Sequence, residues 1–358
     1  MKKLGILAGT AAALATTVAL PATDAHAQAV VLCSQTALRA AISQANAAPG
    51  PNTLFLAPGC TYNLTAPDNP GNGLPVVTSD ITIVGSLLGT QNVIRRQSAS
   101  AFRIFQVQGP NARLSLSNLT VRDGRSDSGG GGGILNLGGT LTLNSVEVTG
   151  NLSAAAGRGG GIHSSGSLTV RNSTVSFNRS TNNGGGLASV GTATLSNTTV
   201  TGNTAKDSGG GMDVRGGLTL TGSRLTDNSS DDGGGMLAFA LTGTVTDTLV
   251  RGNTIAGDGL HGGGILNQNG STLTLERTTV FANRTLGSGS QGGGIANTGG
   301  AGNTVNLRNS SVTYNYASAA PGGIFNDGGI VTLTATPVTE NFPSNCTPSA
   351  PAIAGCAG

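Results

Sequence analysis

The apolar residue that follows each glycine run falls at Ile134, Ile162, Leu187, Met212, Met236, Ile265, Ile295 and Ile324, in steps of 24 to 30 residues. Later in each repeat stands a second apolar residue: Leu143, Val170, Leu195, Leu220, Val245, Leu275, Leu307 or Leu333. A third comes five residues on, at Val148, Val175, Val200, Leu225, Val250, Val280, Val312 or Val338. Three residues beyond that is an asparagine: Asn151, Asn178, Asn203, Asn228, Asn253, Asn283, Asn315 or Asn341. Self-similarity at this period means a stacked or solenoid architecture.

Inside a repeat the pattern alternates with period two, as in "LTL" at 141–143 and 218–220, and threonine and valine favour strands. No segment of the repeat is long enough for a helix. Each repeat therefore offers three short strands. The glycine run precedes the first, pieces such as "NLGG" 136–139 precede the second, and a step such as "NST" 172–174 precedes the third. Three bent strands per coil, stacked at a strand spacing of ~4.8 Å, predict an all-β right-handed parallel β-helix. The asparagines are expected at a bend, in a left-handed conformation, forming an internal ladder from coil to coil. The glycine triplets are expected to supply positive φ and close approach of successive backbones.

The pattern continues more faintly toward the N-terminus through "DITIVG" 80–85, "FRIFQVQG" 102–109 and "LSLSNLTVRDG" 114–124, giving about eleven coils and a rod ~50 Å long. Open ends of such a rod are edges that recruit other chains. "SQTALRAAISQANA" 34–47 predicts an amphipathic capping helix with Leu38, Ala41, Ile42 and Ala45 on one face. The expected division is a leader over 1–27, an N-terminal cap over 28–66, the β-helix over 67–345 and a disulfide-closed tail over 346–358 that plugs the far end. The leader reading rests on Lys2 and Lys3, the apolar run Leu4 to Leu20 and the small-x-small step Ala25-His26-Ala27, which together make a secretory signal peptide.

Four cysteines lie near the ends: Cys33, Cys60, Cys346 and Cys356. An even count in a secreted chain reads as disulfides. Three pairings exist; a long array would hold the ends apart, which favours Cys33–Cys60 and Cys346–Cys356. The 59 glycines lack the every-third-residue register of collagen, and the apolar offsets exclude disorder. The net charge of +3 is evenly spread, leaving no footprint for nucleic acid. Beyond the leader no segment is apolar enough to span a bilayer, and a monomer is expected.

Two constellations carry chemistry. The position after the first apolar residue reads Leu135, His163, Ala188, Asp213, Leu237, Leu266, Ala296, Phe325 down the stack. His163 and Asp213 are expected on the same outer face, two coils or ~10 Å apart, too far for a hydrogen-bonded dyad. Arg215 adjoins Asp213. The three are candidate catalytic residues, against the reading of a solvated surface. In the bends before the glycines, Asn182, Asp207 and Asp231 stack on consecutive coils, with Asp232 adjoining and Asp258 and His261 in the next bend. Oxygen ligands of this kind suit Ca²⁺, against the reading of a solvated acidic loop; no other cofactor is expected. Phe239, Phe281, Tyr314, Tyr316 and Phe325 suffice for a small aromatic patch, and no GxSxG, Walker phrase or CxxC is present.

The "GGGI/L" and "VxxN" phrases resemble the GGxI and FxxN repeats of chlamydial-type polymorphic outer-membrane proteins. The opening "LCSQTALRAAISQAN", "LFLAPGCTYNLT", "GLP", "ITIVG" and "FRIF" is similar to secreted bacterial right-handed β-helix proteins with a CSLREA-like start. The resemblance covers 33–341 and implies the fold. The polymorphic proteins are autotransporters with a membrane barrel after the repeats; here "CAG" follows soon after the last repeat, and no barrel is expected. The fold also hosts pectin lyases and polysaccharide hydrolases, whose dense outward acid and base clusters are not evident here. The expected function is a secreted, non-catalytic, adhesin-like protein that binds a polysaccharide or a surface protein. The alternatives are a polysaccharide lyase or glycoside hydrolase and a purely structural spacer.

Overall fold

The computed structural model describes residues 28–358 apart from Leu88 and Ala357; the leader read over 1–27 lies outside them. The strands stack in parallel as about eleven coils. Those that follow the glycines form a nine-stranded sheet. The second and third strands of successive coils share a 21-stranded sheet, because the bend between them barely interrupts the ladder. Arg113–Arg122 and Thr140–Thr149 run through it unbroken. Two-residue strands after Gly124 and after the asparagines from Asn151 to Asn315 build an eight-stranded sheet that sequence reading did not separate. Val175 pairs with Val200 and Val200 with Leu225, all fully buried. Among the described residues no helix is long and apolar enough to cross a membrane.

The asparagines form a continuous internal ladder. Asn178 Nδ2 donates to Asn203 Oδ1 at 3.0 Å, and Asn203 Nδ2 to Asn228 Oδ1 at 3.0 Å. Each amide also serves backbone: Asn203 Oδ1 accepts from Asn178 N at 2.9 Å, and Asn203 Nδ2 donates to Val175 O at 2.9 Å. The ladder starts at Gly124 N, which donates to Asn151 Oδ1, and ends with Asn341 donating to Asn345. One expectation is corrected. The asparagines are not the left-handed residues; the residue before each one is, as at Phe177 (φ 51°), Gly202 (63°), Asp227 (55°) and Tyr314 (57°). The turn is made one step early, which aims the asparagine amide inward.

Each glycine of a triplet has its own reason. Gly184 holds φ +68°. A Cβ on Gly185 would lie 2.3 Å from Gly210 O and 2.5 Å from Thr204 C, on the next coil. A Cβ on Gly186 would lie 3.0 Å from the Asn203 amide. The triplet and the ladder are thus one device: the third glycine is missing a side chain because the asparagine occupies that space. A second ladder, of hydroxyls, runs beside the bend before the third strand. Thr198 N donates to Ser223 Oγ at 3.1 Å, and Thr278 N to Ser310 Oγ at 3.0 Å.

The N-terminal end is covered by the helix Gln35–Ala47, capped by Ser34 Oγ accepting from Ala37 N, with Leu38, Ile42 and Ala45 buried. Cys33–Cys60 ties its start to the first coils. At the other end the Cys346–Cys356 tail buries Ile353 and pairs Ala350 with Asp327. The tail is only a partial plug: inward-facing Val331 and Leu333 of the last long strand, Ile330–Thr334, stay partly exposed, because the tail docks on other sides of the coil.

Two substitutions test this construction. Gly185→Val is expected to cost about 3 kcal/mol through overlap with the next coil's backbone, whereas exposed Thr219→Val stays within about 0.5 kcal/mol; equal melting midpoints would contradict the placement. Asn203→Ala orphans a buried N–H and a buried C=O, so urea unfolding should show a loss of about 3 kcal/mol.

Candidate functional site

The outer face of the nine-stranded sheet is not an open surface. The bend before each triplet folds back over the first outward row, so a Cβ on Gly184 would lie 3.0 Å from Ala188 Cβ and one on Gly209 3.1 Å from Asp213 N. Leu135, Ala188, Asp213, Leu237, Leu266 and Ala296 are all buried as a result. Asp213 is 1% exposed, which corrects the reading of it as a solvated surface residue. Arg215 Nε reaches both its carboxylate oxygens, at 3.0 and 3.2 Å, and stacks 4.5 Å from the centre of the Phe239 ring. Burial raises the pKa of Asp213 above the usual carboxylate value, and the Arg215 and Arg158 charges pull it back.

His163 occupies the same row. It pairs with Ala188, which pairs with Asp213, so the two stand two coils apart and are not brought together. His163 Nδ1 lies 3.2 Å from Gly129 O. Burial holds its pKa below the usual imidazole value; the Gly129 bond opposes this, and the charges of Arg158 and Arg103 lower it further.

Sequence reading missed both of those arginines. Arg158 sits in the bend just before Gly159. Arg103, 5% exposed, comes from an early coil, and its guanidinium donates to Asn72 Oδ1 at 2.9 Å, Ser126 Oγ at 2.9 Å and Ser128 O at 2.6 Å. A signal was available. "SGGGGGIL" 128–135 carries five glycines where other repeats carry three, and Gly129, Gly130 and Gly131 all hold positive φ. A Cβ on Gly130 would stand 2.6 Å from His163 Nδ1 and 2.4 Å from Arg158 O.

The acidic bends stack as expected along the backbone, with Asp207 N donating to Asn182 O and Asp232 N to Asp207 O. They do not make a cage. Among the described residues no three His, Cys, Asp or Glu side chains gather as metal ligands. Asp231 is exposed, while Asp232 turns inward and its Oδ1 accepts His261 N at 3.0 Å. Of the four residues read as a calcium site, Asp232 thus commits one oxygen to the bend.

The late coils gather aromatic rings at the asparagine corner. Tyr316 and Phe342 stack on adjacent coils, centres 5.7 Å apart and planes within 10°. Phe281 and Tyr314 meet edge-on at 5.5 Å, and the Arg251 guanidinium lies 5.7 Å from the centre of Phe281. Phe239 and Phe325 instead pack on the outer cluster of Leu237, Leu266 and Ala296, where Phe325 also meets His261.

Burial pushes the Asp232 carboxyl up to about 6, partly offset by N–H bonds from His261 and Gly233. A carboxyl with a folded pKa above its unfolded value near 3.8 weakens the fold as it ionises, so stability falls as pH rises from about 4 to about 6. Asp232→Asn should flatten that part of the profile and be the more stable chain at pH 7, by up to about 2 kcal/mol. Melting midpoints across this range check it.

A family model described as a right handed beta helix region matches residues 161–342, just over half of the chain. No curated protein matches in sequence. Solved structures similar to the chain include the A-module of the Azotobacter vinelandii mannuronan C-5 epimerase AlgE6 (18% identity, 86% of this chain and 96% of that one, TM-score 0.40). The pectate lyase Pel9A is similar at 15% identity, over 87% of this chain and 79% of that one, with a TM-score of 0.44. An alginate lyase from Paenibacillus sp. str. FPU-7 is similar at 13% identity over 86% and 99%, with a TM-score of 0.39. Likenesses this distant bear on none of the side chains described above. With the coils, their parallel register and the family match in hand, the chain belongs to the right-handed β-helix family.

Proposed function

We propose that the protein is an extracellular, non-catalytic β-helix that binds a polysaccharide. The observation that carries this reading is the aromatic corner. A chain with eight Phe, three Tyr and no Trp places Phe281, Tyr314, Tyr316 and Phe342 together on three consecutive coils. Tyr314, Tyr316 and Phe342 are exposed at 56%, 38% and 61%. Exposed rings with hydroxyl tips offer apolar surface to the C–H faces of sugars and hydrogen bonds to their hydroxyls. The coil repeat of ~4.8 Å is comparable with the rise of an extended pyranose chain, so successive rings can meet successive sugars. Two disulfides fit an oxidising, extracellular setting.

The pair suggested by the sequence is not brought together: Asp213 is buried against Arg215 Nε, and His163 stands two coils away. One observation favours a lyase as the second reading. His163 is held neutral by its surroundings beside Arg103 and Arg158, and a neutral base next to guanidinium groups suits proton abstraction beside a carboxylate.

A panel of immobilised and soluble glycans, scored for both retention and chain cleavage, tests the proposal. Retention without cleavage is expected, reduced about tenfold in Tyr316→Ala/Phe342→Ala at unchanged melting midpoint. Cleavage that disappears in His163→Ala selects the lyase reading. A protein retained on nothing is a structural spacer or binds a surface protein instead.

A further inference from the structure

We infer that Arg103, Arg158 and His163, converging around Gly129–Gly131, form an anion site that takes a carboxylate of an acidic saccharide chain. The inference rests on the polysaccharide-binding reading and names the class of polymer.

The first observation is a buried cation with no acid. The partners of the Arg103 guanidinium are amides, a hydroxyl and carbonyls: Asn72, Gln106, Ser126 Oγ, Ser128 O, Gly71 O and Gly130 O. Its Nε has no partner. Burying an ion without its counter-charge is costly, and neutral dipoles repay only part of that cost.

The second observation is the neighbourhood. Arg158 makes no ion pair among the described residues, and its charge acts on both His163 and Asp213. Asp213, the acid whose charge couples to it, is already held by Arg215 through both oxygens. Three basic side chains therefore share one place with no free acid among them. The third observation is close approach. A Cβ on Gly129 would lie 3.6 Å from Arg103 Nη2, and one on Gly130 2.6 Å from His163 Nδ1 and 2.4 Å from Arg158 O, so the two glycines added to the usual triplet let the three basic residues crowd around one stretch of backbone. Arg158 and His163 stay partly exposed there, which leaves the cluster reachable from solvent.

The Arg158 guanidinium offers a fork that matches a planar carboxylate, and the buried charge of Arg103, whose Nη atoms are already engaged, stands behind it. The proton on His163 Nδ1 is engaged by Gly129 O, so a second proton on Nε2 makes the ring a further donor to the anion. Anion binding and protonation of His163 then favour each other. The nine-stranded sheet runs past the site along the rod axis, which suits a chain rather than an isolated acid.

Calorimetry with the disulfide-intact protein tests this, using polygalacturonate, monomeric galacturonate and a neutral glucan as probes. The polyuronate should bind more tightly than the monomer, more weakly as salt rises, and more tightly as pH falls through the titration of His163. Arg158→Ala should lose about tenfold in affinity, Arg158→Lys less, and Arg171→Ala, on an exposed strand end elsewhere, nothing. The His163 ring signal in NMR should titrate at higher pH when polyuronate is present, a readout that a merely structural Arg158 would not move. Unchanged affinity in Arg158→Ala overturns the site and leaves polysaccharide binding standing. So does retention of the neutral glucan alone. Monomer binding as tight as the polymer's overturns the chain-binding claim, and a wild-type protein that binds no glycan overturns both readings.

Discussion

Asn203 spans three coils with one side chain. Its amide nitrogen donates to Val175 O behind it and to Asn228 Oδ1 ahead, while its oxygen takes the N–H of Asn178. Asn178, Asn203, Asn228, Asn253 and Asn283 make their side-chain bonds to neighbouring coils, and Asn151, Asn315 and Asn341 add one to the carbonyl two residues back; an inward valine likewise depends on the coils beside it for cover. Both requirements are met only by a neighbour in register, which is why the stability of such a stack is a sum over interfaces rather than over coils. A slip of one residue would turn Val175 outward and strand a row of buried amides together. The polar ladder therefore fixes register more sharply than apolar burial alone, since an unpaired buried amide costs more than an imperfect methyl contact.

That demand shapes the outside as well. Space for the ladder amide forces a glycine after the bend, and the approach of successive backbones forces another. A bend with so little bulk can fold back over the adjoining strand. Asp213 is buried by this closing of the corner, and Arg215 Nε, shared between its two oxygens, stabilises a carboxylate that would otherwise be penalised by burial. The outward row is thus an outer core, apolar at Leu237, Leu266 and Ala296, with polar exceptions only where a partner stands ready. Polar and aromatic side chains break this outer core at two places: the widened glycine run at 129–131, bordered by Arg103, Arg158 and His163, and the ring-bearing corner of the late coils.

The inward residues and the asparagine spacing were legible because they answer to a strict periodicity; Val175, Val200 and Leu225 could be aligned by counting. The left-handed residue was not, since Phe177, Asp227, Tyr314 and glycines all serve there and share no chemistry. Asp213 was misjudged for a physical reason. Strand alternation tells inside from outside, but outside was equated with water, and what covers the row is a loop whose path the alternation does not encode. Arg103 and Arg158 escaped for the related reason that they reach His163 from different coils, through bends of unequal length. The five-glycine run marked the spot in plain text without saying what would approach it.

The widened glycine run and the ring-bearing corner lie on neighbouring sides of one rigid rod. Counting first strands from Ile162 to Ile265 separates the His163 coil from the Phe281 coil by four strand spacings, or ~20 Å. Neither place need bind tightly by itself. On the proposed reading, rings without deep pockets and an anion site that must desolvate a carboxylate would each offer modest affinity to a single sugar. A polymer held at one is confined near the other, so the second contact forms at high effective concentration and adds affinity without any new interaction. This holds only if the separation stays fixed, and a stack pinned by an asparagine on every coil is what keeps it fixed. The buried ladder, which touches no ligand, would then set the spacing over which a ligand is read.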